Sequence, residues 1–181
     1  MATAKHTLVA LVENKPGVLN RMASLFRQRD FNIESIAVGH SEQPHLSRMT
    51  IVVDGTTTMV EQVRKQLDKV IDVVKVSDIT GDDIIARELA LIKIKATAST
   101  RSEIMQVVDI FRANIVDVAS DSVTVEVTGD EEKIDSLFNL LRGFGIKEIA
   151  RTGRIAMTRG GSSPLRVEKK SSNTRAKRQK A

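Results

Sequence analysis

The stretch KHTLVALVENKPGVLNRMASLF, residues 5–26, contains the pattern from which the fold of the whole chain can be worked out. Its first part holds the short apolar run LVALV with β-branched valines, which predicts a strand over residues 5–13. Pro16 and Gly17 then interrupt the chain as turn residues do. From Val18 onward apolar residues recur at helical spacing. The stretch therefore predicts a strand, a turn and an amphipathic helix whose apolar face covers a sheet.

The next segments complete a unit of six elements. Two runs rich in apolar residues, separated by a polar loop, predict a hairpin, and Asp54-Gly55 predicts the turn after it. Thr58 and Glu61 have the spacing of a capping box, which predicts the start of a second helix. A β-branched run predicts the last strand. The order is βαββαβ, with the later strands predicted at residues 32–39, 46–53 and 71–76.

The second half of the chain repeats this order. Thr100 and Glu103 again have the spacing of a capping box ahead of an amphipathic helix, and Gly143 and Gly145 indicate where the other helix ends. We therefore expect an α+β fold of two tandem ferredoxin-like βαββαβ domains. The strands predicted in this half are residues 89–96, 115–119, 123–127 and 147–151.

The sequence TGDD at residues 80–83 predicts the boundary between the two domains, residues 1–80 and 84–159. After the last predicted strand the composition no longer supports a packed core, so residues 160–181 are expected to form a disordered basic tail. This tail holds seven Lys and Arg against the single Glu168, a net charge of +6, while the rest of the chain carries −1. The total of +5 is therefore weak evidence for nucleic-acid binding by the folded part.

The composition excludes several classes of protein. There are no cysteines, so a disulfide framework and a cysteine-ligated zinc site are excluded. No apolar run is long enough for a signal peptide or a membrane span, so we expect a cytoplasmic protein with no membrane segment. Two domains of this size would each bury a modest share of their surface, which favours dimerisation.

Signals of catalysis are also absent. Neither a phosphate-binding motif, a dinucleotide-binding motif nor a nucleophile elbow occurs. His40 and His45 flank a loop containing Glu42, a set able to chelate a metal, although loop histidines are more often solvated. Base stacking is not expected, because there is no Trp or Tyr and only Phe31 of the five Phe lies at a strand edge. We therefore expect no catalytic residue and no metal site.

The junction between the first strand and the first helix is the candidate binding site. Gly17 lacks a Cβ where free N–H groups meet the positive end of a helix dipole, which suits a carboxylate. The amide oxygen of Asn14 can accept a hydrogen bond from an ammonium group. From these residues alone two interpretations stay open: Pro16-Gly17 only sets the helix start, or the junction binds an α-amino acid.

The motif N-x-P-G-V-L-x-R at residues 14–21 resembles the ligand loop of ACT domains, which bind amino acids between two paired copies. The segments FNIESI at residues 31–36 and LSRMTI at residues 46–51 are similar to those of the small, regulatory subunits of acetolactate synthase. Further segments of the second half, such as RELALIK from Arg87, extend the likeness over residues 5–159.

This resemblance implies that the chain binds the large catalytic subunit of acetolactate synthase, raises its activity and confers feedback inhibition by a branched-chain amino acid, most often valine. Thiamine diphosphate, magnesium and FAD are expected on the large subunit, and no cofactor on this chain. It also implies a homodimer formed through the ACT domain. The effector would be contacted by Asn14, Gly17, Val18 and Leu19 of one protomer and by Asn32 and Ile33 of the facing one.

Four alternatives stay open. Ile33 is also compatible with a plain core position, and Arg48 is interpreted as a solvated strand residue, with a contact between subunits as the other reading. The protein as a whole could be an amino-acid sensor that acts on a different partner. Nucleic-acid binding through the basic tail is a third class of function, which the nearly neutral charge of the folded part disfavours.

Overall fold

The structure, a computed structural model, describes residues 4–28, 32–161 and 163–165. Its first half forms a four-stranded antiparallel sheet in the order β2-β3-β1-β4. The predicted βαββαβ order is confirmed. Its elements are β1 (Ala4–Glu13), α1 (Val18–Arg27), β2 (Ile33–His40), β3 (Leu46–Gly55), α2 (Thr57–Leu67) and β4 (Val73–Asp78).

The second half repeats the arrangement with strand order β6-β7-β5-β8. It adds one strand that the sequence analysis missed, β9, which pairs antiparallel with the first part of β5. Helix α4 ends in a short 3-10 turn that Gly145 closes at a φ of 93°. The elements are β5 (Ile84–Lys95), α3 (Arg101–Ile110), β6 (Asn114–Val118), β7 (Ser122–Gly129), α4 (Glu131–Leu141), β8 (Ile146–Arg151) and β9 (Ile155–Thr158).

Both predicted capping boxes are wrong. The N-cap of α2 is Thr56, whose extended backbone lets its hydroxyl accept a hydrogen bond from the N–H of Met59 at 3.4 Å. Thr58 lies inside the helix, and Glu61 pairs with Arg64 one turn further on. Thr100 is the N-cap residue of α3, where the sequence placed it, but it makes no side-chain cap, because its hydroxyl accepts a hydrogen bond from the N–H of Thr97 at 3.0 Å. At α2 spacing alone did not distinguish Thr56 from Thr58.

Each half has its own apolar core between the sheet and its two helices. In the first half, Leu8, Ala10 and Val12 of β1 lie against Met22 and Phe26 of α1, all at most 2% exposed. The second core has the same plan. Its fully buried members include Ile92, Ile94, Val125, Ile134 and Leu137. In both halves the predicted 3.6-residue periodicity identified the side of each helix that is buried.

A third apolar cluster joins the two halves. Val9 and Leu11 point to the face of the first sheet opposite its helices, where they contact Ala156 of β9 and Leu165. Ile79, on the segment that leads from β4 to β5, completes the cluster and is fully buried. Leu165 belongs to the predicted tail and is only 5% exposed. The predicted disorder of the remaining tail falls on Ser162 and residues 166–181, which lie outside the described residues.

Polar contacts around Arg154 connect the same two halves. Its guanidinium pairs with Glu131 of α4 and donates to the hydroxyl of Thr7 on β1 at 3.4 Å. Its main-chain N–H donates to the hydroxyl of Ser35 on β2 at 3.3 Å. Lys5 pairs with Glu131 as well, so one carboxylate receives cations from both halves. Within the described part of the chain, no helix is long and apolar enough to cross a membrane.

Gly153 offers a test of this contact between the halves. It has a φ of +79°, and a Cβ at this position would lie 3.2 Å from the Cβ of Ser35. We expect Gly153→Ala to lower the free energy of unfolding by about 1 to 3 kcal/mol, because a left-handed backbone disfavours a side chain and Ser35 would have to move. Urea denaturation measures the effect.

The matched control is Gly143→Ala, because a Cβ there meets nothing within 4 Å and its φ is not positive. We expect it to change the free energy of unfolding by less than about 0.5 kcal/mol. Equal stability of the two variants would contradict a close packing of residue 153 on β2.

Candidate functional site

The loop between β1 and α1 has the geometry of an open helix start. Gly17 is the N-cap residue, with a φ of 89° and a ψ of −14°, a left-handed conformation that favours glycine. It makes no side-chain cap, and a Cβ at this position would meet nothing within 4 Å. Pro16, one residue earlier, has no N–H to satisfy. A ligand can therefore approach the main chain at Gly17 without displacing protein atoms.

The first N–H groups of α1 are available to such a ligand. The first backbone hydrogen bond of the helix runs from the N–H of Arg21 to the carbonyl of Gly17, at 3.1 Å. The N–H groups of Val18, Leu19 and Asn20 precede it and have no main-chain acceptor within the described ranges. These donors lie at the positive end of the helix dipole, so the site favours an anion such as a carboxylate.

A buried carboxylate that the sequence analysis did not single out holds this loop in place. The side chain of Asp72 has no exposed area, and its Oδ1 lies 2.9 Å from the ammonium of Lys15 in the loop. Its Oδ2 pairs with the guanidinium of Arg21 on α1. The carbonyl of Asp72 also accepts from the N–H of Glu13 at 2.9 Å. The loop and the first turn of α1 are therefore attached to the segment before β4.

Asp72 also explains why the predicted strand at residues 71–76 starts two residues too early. The observed strand begins at Val73, and Ile71 is 87% exposed instead of buried. The signal was present in the sequence: an Asp inside an otherwise apolar, β-branched run is rarely buried without a cationic partner. The partners, Lys15 and Arg21, are more than fifty residues away in sequence and could not be assigned from it.

These two cations set the protonation of Asp72. The Lys15 ammonium, and then the Arg21 guanidinium, hold the pKa of the Asp72 carboxyl below its usual range. The carboxylate therefore stays charged at neutral pH.

The six predicted effector residues fall into two groups. Asn14, Gly17 and Leu19 are exposed around the loop, and the Asn14 main chain is fixed by a 2.9 Å hydrogen bond from its N–H to the carbonyl of His45. The side chain of Val18 is only 3% exposed and packs in the core, so only its main chain faces the site. Asn32 is exposed just before β2.

Within one protomer the two groups are far apart. The Asn14 amide nitrogen lies 3.4 Å from Nδ1 of His40, at the end of β2, while Ile33 is at its beginning. At about 3.3 Å per residue, the two ends of this eight-residue strand are roughly 23 Å apart. Ile33 is half-buried and packs against the first core. One chain therefore presents two separate halves of the predicted site, which stays a prediction.

Other kinds of site find no support in the described part of the chain. His40 and His45 are exposed, and no group of three or more His, Cys, Asp or Glu is arranged to hold a metal there. Phe26 is buried, and Phe111 and Phe144 pack against the second core, so these rings form no stacking surface. Phe31 lies outside the described residues.

Comparison with known proteins gives consistent matches in both halves. The family model described as "AHAS small subunit-like ACT domain" matches residues 8–75, and that described as "Small subunit of acetolactate synthase" matches residues 87–160. A probable acetolactate synthase small subunit of Archaeoglobus fulgidus is 57% identical over 156 residues, 86% of this chain and 98% of the relative.

Two further relatives agree. The acetolactate synthase small subunit of Mycolicibacterium smegmatis is 50% identical over 158 residues, covering 87% of this chain and 93% of the relative. The crystal structure of the acetolactate synthase small subunit from Thermotoga maritima superposes with a TM-score of 0.81 at 42% identity, over 88% of this chain and 99% of that one.

Asp72→Asn tests the role of the buried carboxylate. The substitution keeps the shape of the side chain but leaves Lys15 and Arg21 without their counter-charge, so we expect a lower melting temperature and a less ordered loop. Thermal unfolding and amide hydrogen exchange of the loop measure the two effects. The control is Asp68→Asn, which removes an exposed partner of Arg64 and should change little. Equal effects of the two variants would rule out a special role for Asp72.

The same carboxylate predicts a dependence of stability on pH. Its pKa is depressed in the folded state, so its contribution is fully present above the unfolded-state value, about 3.9, and is lost as pH falls through the lower folded-state value. We expect the stability difference between the wild type and Asp72→Asn to be constant near neutral pH and to shrink in acid. A carboxyl NMR titration combined with urea unfolding measures it. A difference that stayed constant down to pH 2 would contradict this linkage.

Proposed function

This chain belongs to the acetolactate synthase small-subunit family. On that premise we propose that it is a regulatory subunit that activates the catalytic large subunit and confers feedback inhibition by a branched-chain amino acid, with valine as the first candidate. The observation that carries the proposal is the open start of α1 at Gly17, in a chain that is 57% identical to a probable acetolactate synthase small subunit. The enzyme would act in the biosynthesis of valine, leucine and isoleucine.

The carboxylate and ammonium groups of the effector would make its polar contacts with the protein. Its carboxylate would accept hydrogen bonds from the N–H groups of Val18 and Leu19, which have no main-chain acceptor within the described ranges. Its ammonium group would donate to the amide oxygen of Asn14, whose nitrogen is the atom near His40. An affinity between micromolar and millimolar requires about 4 to 8 kcal/mol, which a few charge-assisted hydrogen bonds and one apolar contact can supply.

The free edge of β2 supports a homodimer. Among the described residues β2 pairs with β3 alone, so no strand of that part of the chain covers its outer edge. Ile36 and Val38 lie on this strand and are 42% and 46% exposed. Antiparallel pairing of two β2 strands about a twofold axis would bring the beginning of one strand to the end of the other. Asn32 and Ile33 of one protomer would then approach the Gly17 loop of its partner, which would complete the site.

The roles of the two domains and of the two subunits follow from the same premise. We infer that residues 1–80 form the ACT domain for effector binding and dimerisation, and that residues 84–159 form a second ferredoxin-like domain. The chain would be non-catalytic on its own, and thiamine diphosphate, magnesium and FAD would be bound by the large subunit. Both subunits would work in the cytoplasm. Regulation of a different partner is less favoured, because the relatives are named as subunits of acetolactate synthase.

Reconstitution tests the proposal. The purified chain should form no acetolactate from pyruvate, should raise the rate of the large subunit, and should make that rate sensitive to valine. Gly17→Asp should raise the valine concentration for half-inhibition by at least about tenfold, because its carboxylate would fill the position of the effector's own and repel it. Stimulation of the large subunit should persist.

Gly17→Asn is the matched control. Asn has the same shape as Asp without the charge, and both residues tolerate a positive φ better than most. A smaller loss of valine sensitivity in the Asn variant is therefore expected. If both variants kept full valine inhibition, the effector would bind elsewhere, and if the wild-type chain did not stimulate the large subunit, the regulatory assignment would be wrong.

A further inference from the structure

A groove lies on the opposite side of the first sheet from α1 and α2, and one end of its lining reaches His40, the neighbour of Asn14. It lies between β2 and β3 of the first half and the paired strands β5 and β9 of the second, and has a volume of about 330 Å³. That volume is at the lower end of the range for ligand pockets. Six of its lining residues matter here, and we call the space between them the β9 groove: Val38, Arg48, Ile85, Arg87, Ile155 and Met157.

The lining is mostly apolar and unusually exposed. Ile155 and Met157 of β9 are 58% and 55% exposed, and Ile85 of β5 is 37% exposed. Single exposed apolar residues are common on protein surfaces, but a cluster contributed by two paired strands beside one depression indicates an interaction site.

Two arginines give the groove its charge. Arg48 is half-buried at its wall, and Nη2 donates to the carbonyl of Ala156 at 2.8 Å, so the interpretation of Arg48 as a solvated strand residue is wrong. Burial lowers the pKa of its guanidinium, and Glu42 acts on it only at longer range. Arg87 is exposed and donates to the carbonyl of its neighbour Ala86 at 2.7 Å. Neither arginine forms an ion pair with a carboxylate of residues 4–28, 32–161 or 163–165.

The positive charge of the β9 groove distinguishes between the molecules that could bind in it. No acidic residue of the described chain lines the groove, so a second copy docked on it symmetrically would bring arginines against arginines. The chain's own terminal segment, residues 166–181, is strongly basic in sequence and would add charge of the same sign. A partner segment that carries a carboxylate beside apolar side chains would satisfy both the arginines and the apolar walls.

We propose that the β9 groove is where the large catalytic subunit docks, through a segment that places a carboxylate at Arg48 and Arg87 and apolar side chains against Ile155 and Met157. This inference rests on the proposed regulatory function and adds to it the surface that contacts the partner. An occupant of the groove touches both halves of the chain, because its walls come from β2 and from β9. It also touches β2, the strand whose beginning carries Ile33 of the predicted effector site.

Charge reversal and apolar-to-acidic variants test the groove in the full-length chain. We expect Arg87→Glu and Met157→Glu each to raise the concentration of small subunit that gives half-maximal stimulation of the large subunit by about tenfold or more. The affinity of the wild type should fall with added salt, and that of Arg87→Glu should fall less, because one attractive charge has been reversed. Binding is measured by stimulation and by direct titration of the large subunit.

Arg142→Glu and Met105→Glu are the matched controls. Both residues are exposed on the helical side of the second half, and Met105 is 48% exposed, close to the value for Met157. They should change the half-maximal concentration by less than about twofold. Calorimetry of each isolated variant should give the same affinity for valine as the wild type. Such a result would show that the variant is folded, so that a weaker response of the large subunit comes from the groove.

Two results would overturn the proposal. Unchanged binding of the large subunit by both groove variants would exclude the groove as its docking site. A change in the mass of the isolated chain in Met157→Glu, measured by analytical ultracentrifugation, would identify the groove as a contact between copies instead. Failure of the wild type to bind the large subunit would refute the proposed function itself, so the two failures are distinguishable.

Discussion

Burial of β1 on both of its faces is the constraint on which the rest of the structure depends. Leu8, Ala10 and Val12 face the helices of the first half, while Val9 and Leu11 face the other way. A sheet covered by helices on one side only would leave the second set in water, at a cost of about 1.5 to 3 kcal/mol for each large side chain. The second half covers these side chains with Ala156 of β9 and with Leu165. The two halves are thus joined by apolar packing as well as by a linker.

The candidate effector site is rigid on one side and incomplete on the other. The loop at Gly17 is held by the buried Asp72 carboxylate, with Lys15 and Arg21 as its partners, so its N–H groups are oriented before any ligand arrives. The complementary residues at the start of β2 are too distant within one protomer to close the site. The proposed arrangement would couple ligand binding to the pairing of two copies, because the ligand would contact both.

The charged residues of the surface fall into two groups, those paired between the halves and those without an ion pair at the β9 groove. Around Arg154 the cations and carboxylates of the two halves are paired with one another, and these contacts fasten the halves together. At the β9 groove, in contrast, Arg48 and Arg87 form no ion pair with a carboxylate in the described part of the chain, and most of the surrounding side chains are apolar. Paired charges stabilise the protein itself, whereas unpaired charges beside exposed apolar surface favour a partner that supplies the opposite charge.

The sequence by itself determined the order of the elements, the buried side of each helix and the open junction at Gly17. These features follow from local rules, since periodicity and turn residues act over a few positions. It misplaced the cap of α2 by two residues, because Thr56 and Thr58 both offer a hydroxyl and only the final backbone angles decide which one caps, and it placed Thr100 at the start of α3 correctly but not the hydrogen bond of its hydroxyl. Only the tertiary structure decided the ion pairs of Asp72, the strand β9 and the β9 groove. Each depends on residues brought together from distant parts of the chain, and β9 has four residues, too few for a periodic signal, so packing on β5 was needed to define it.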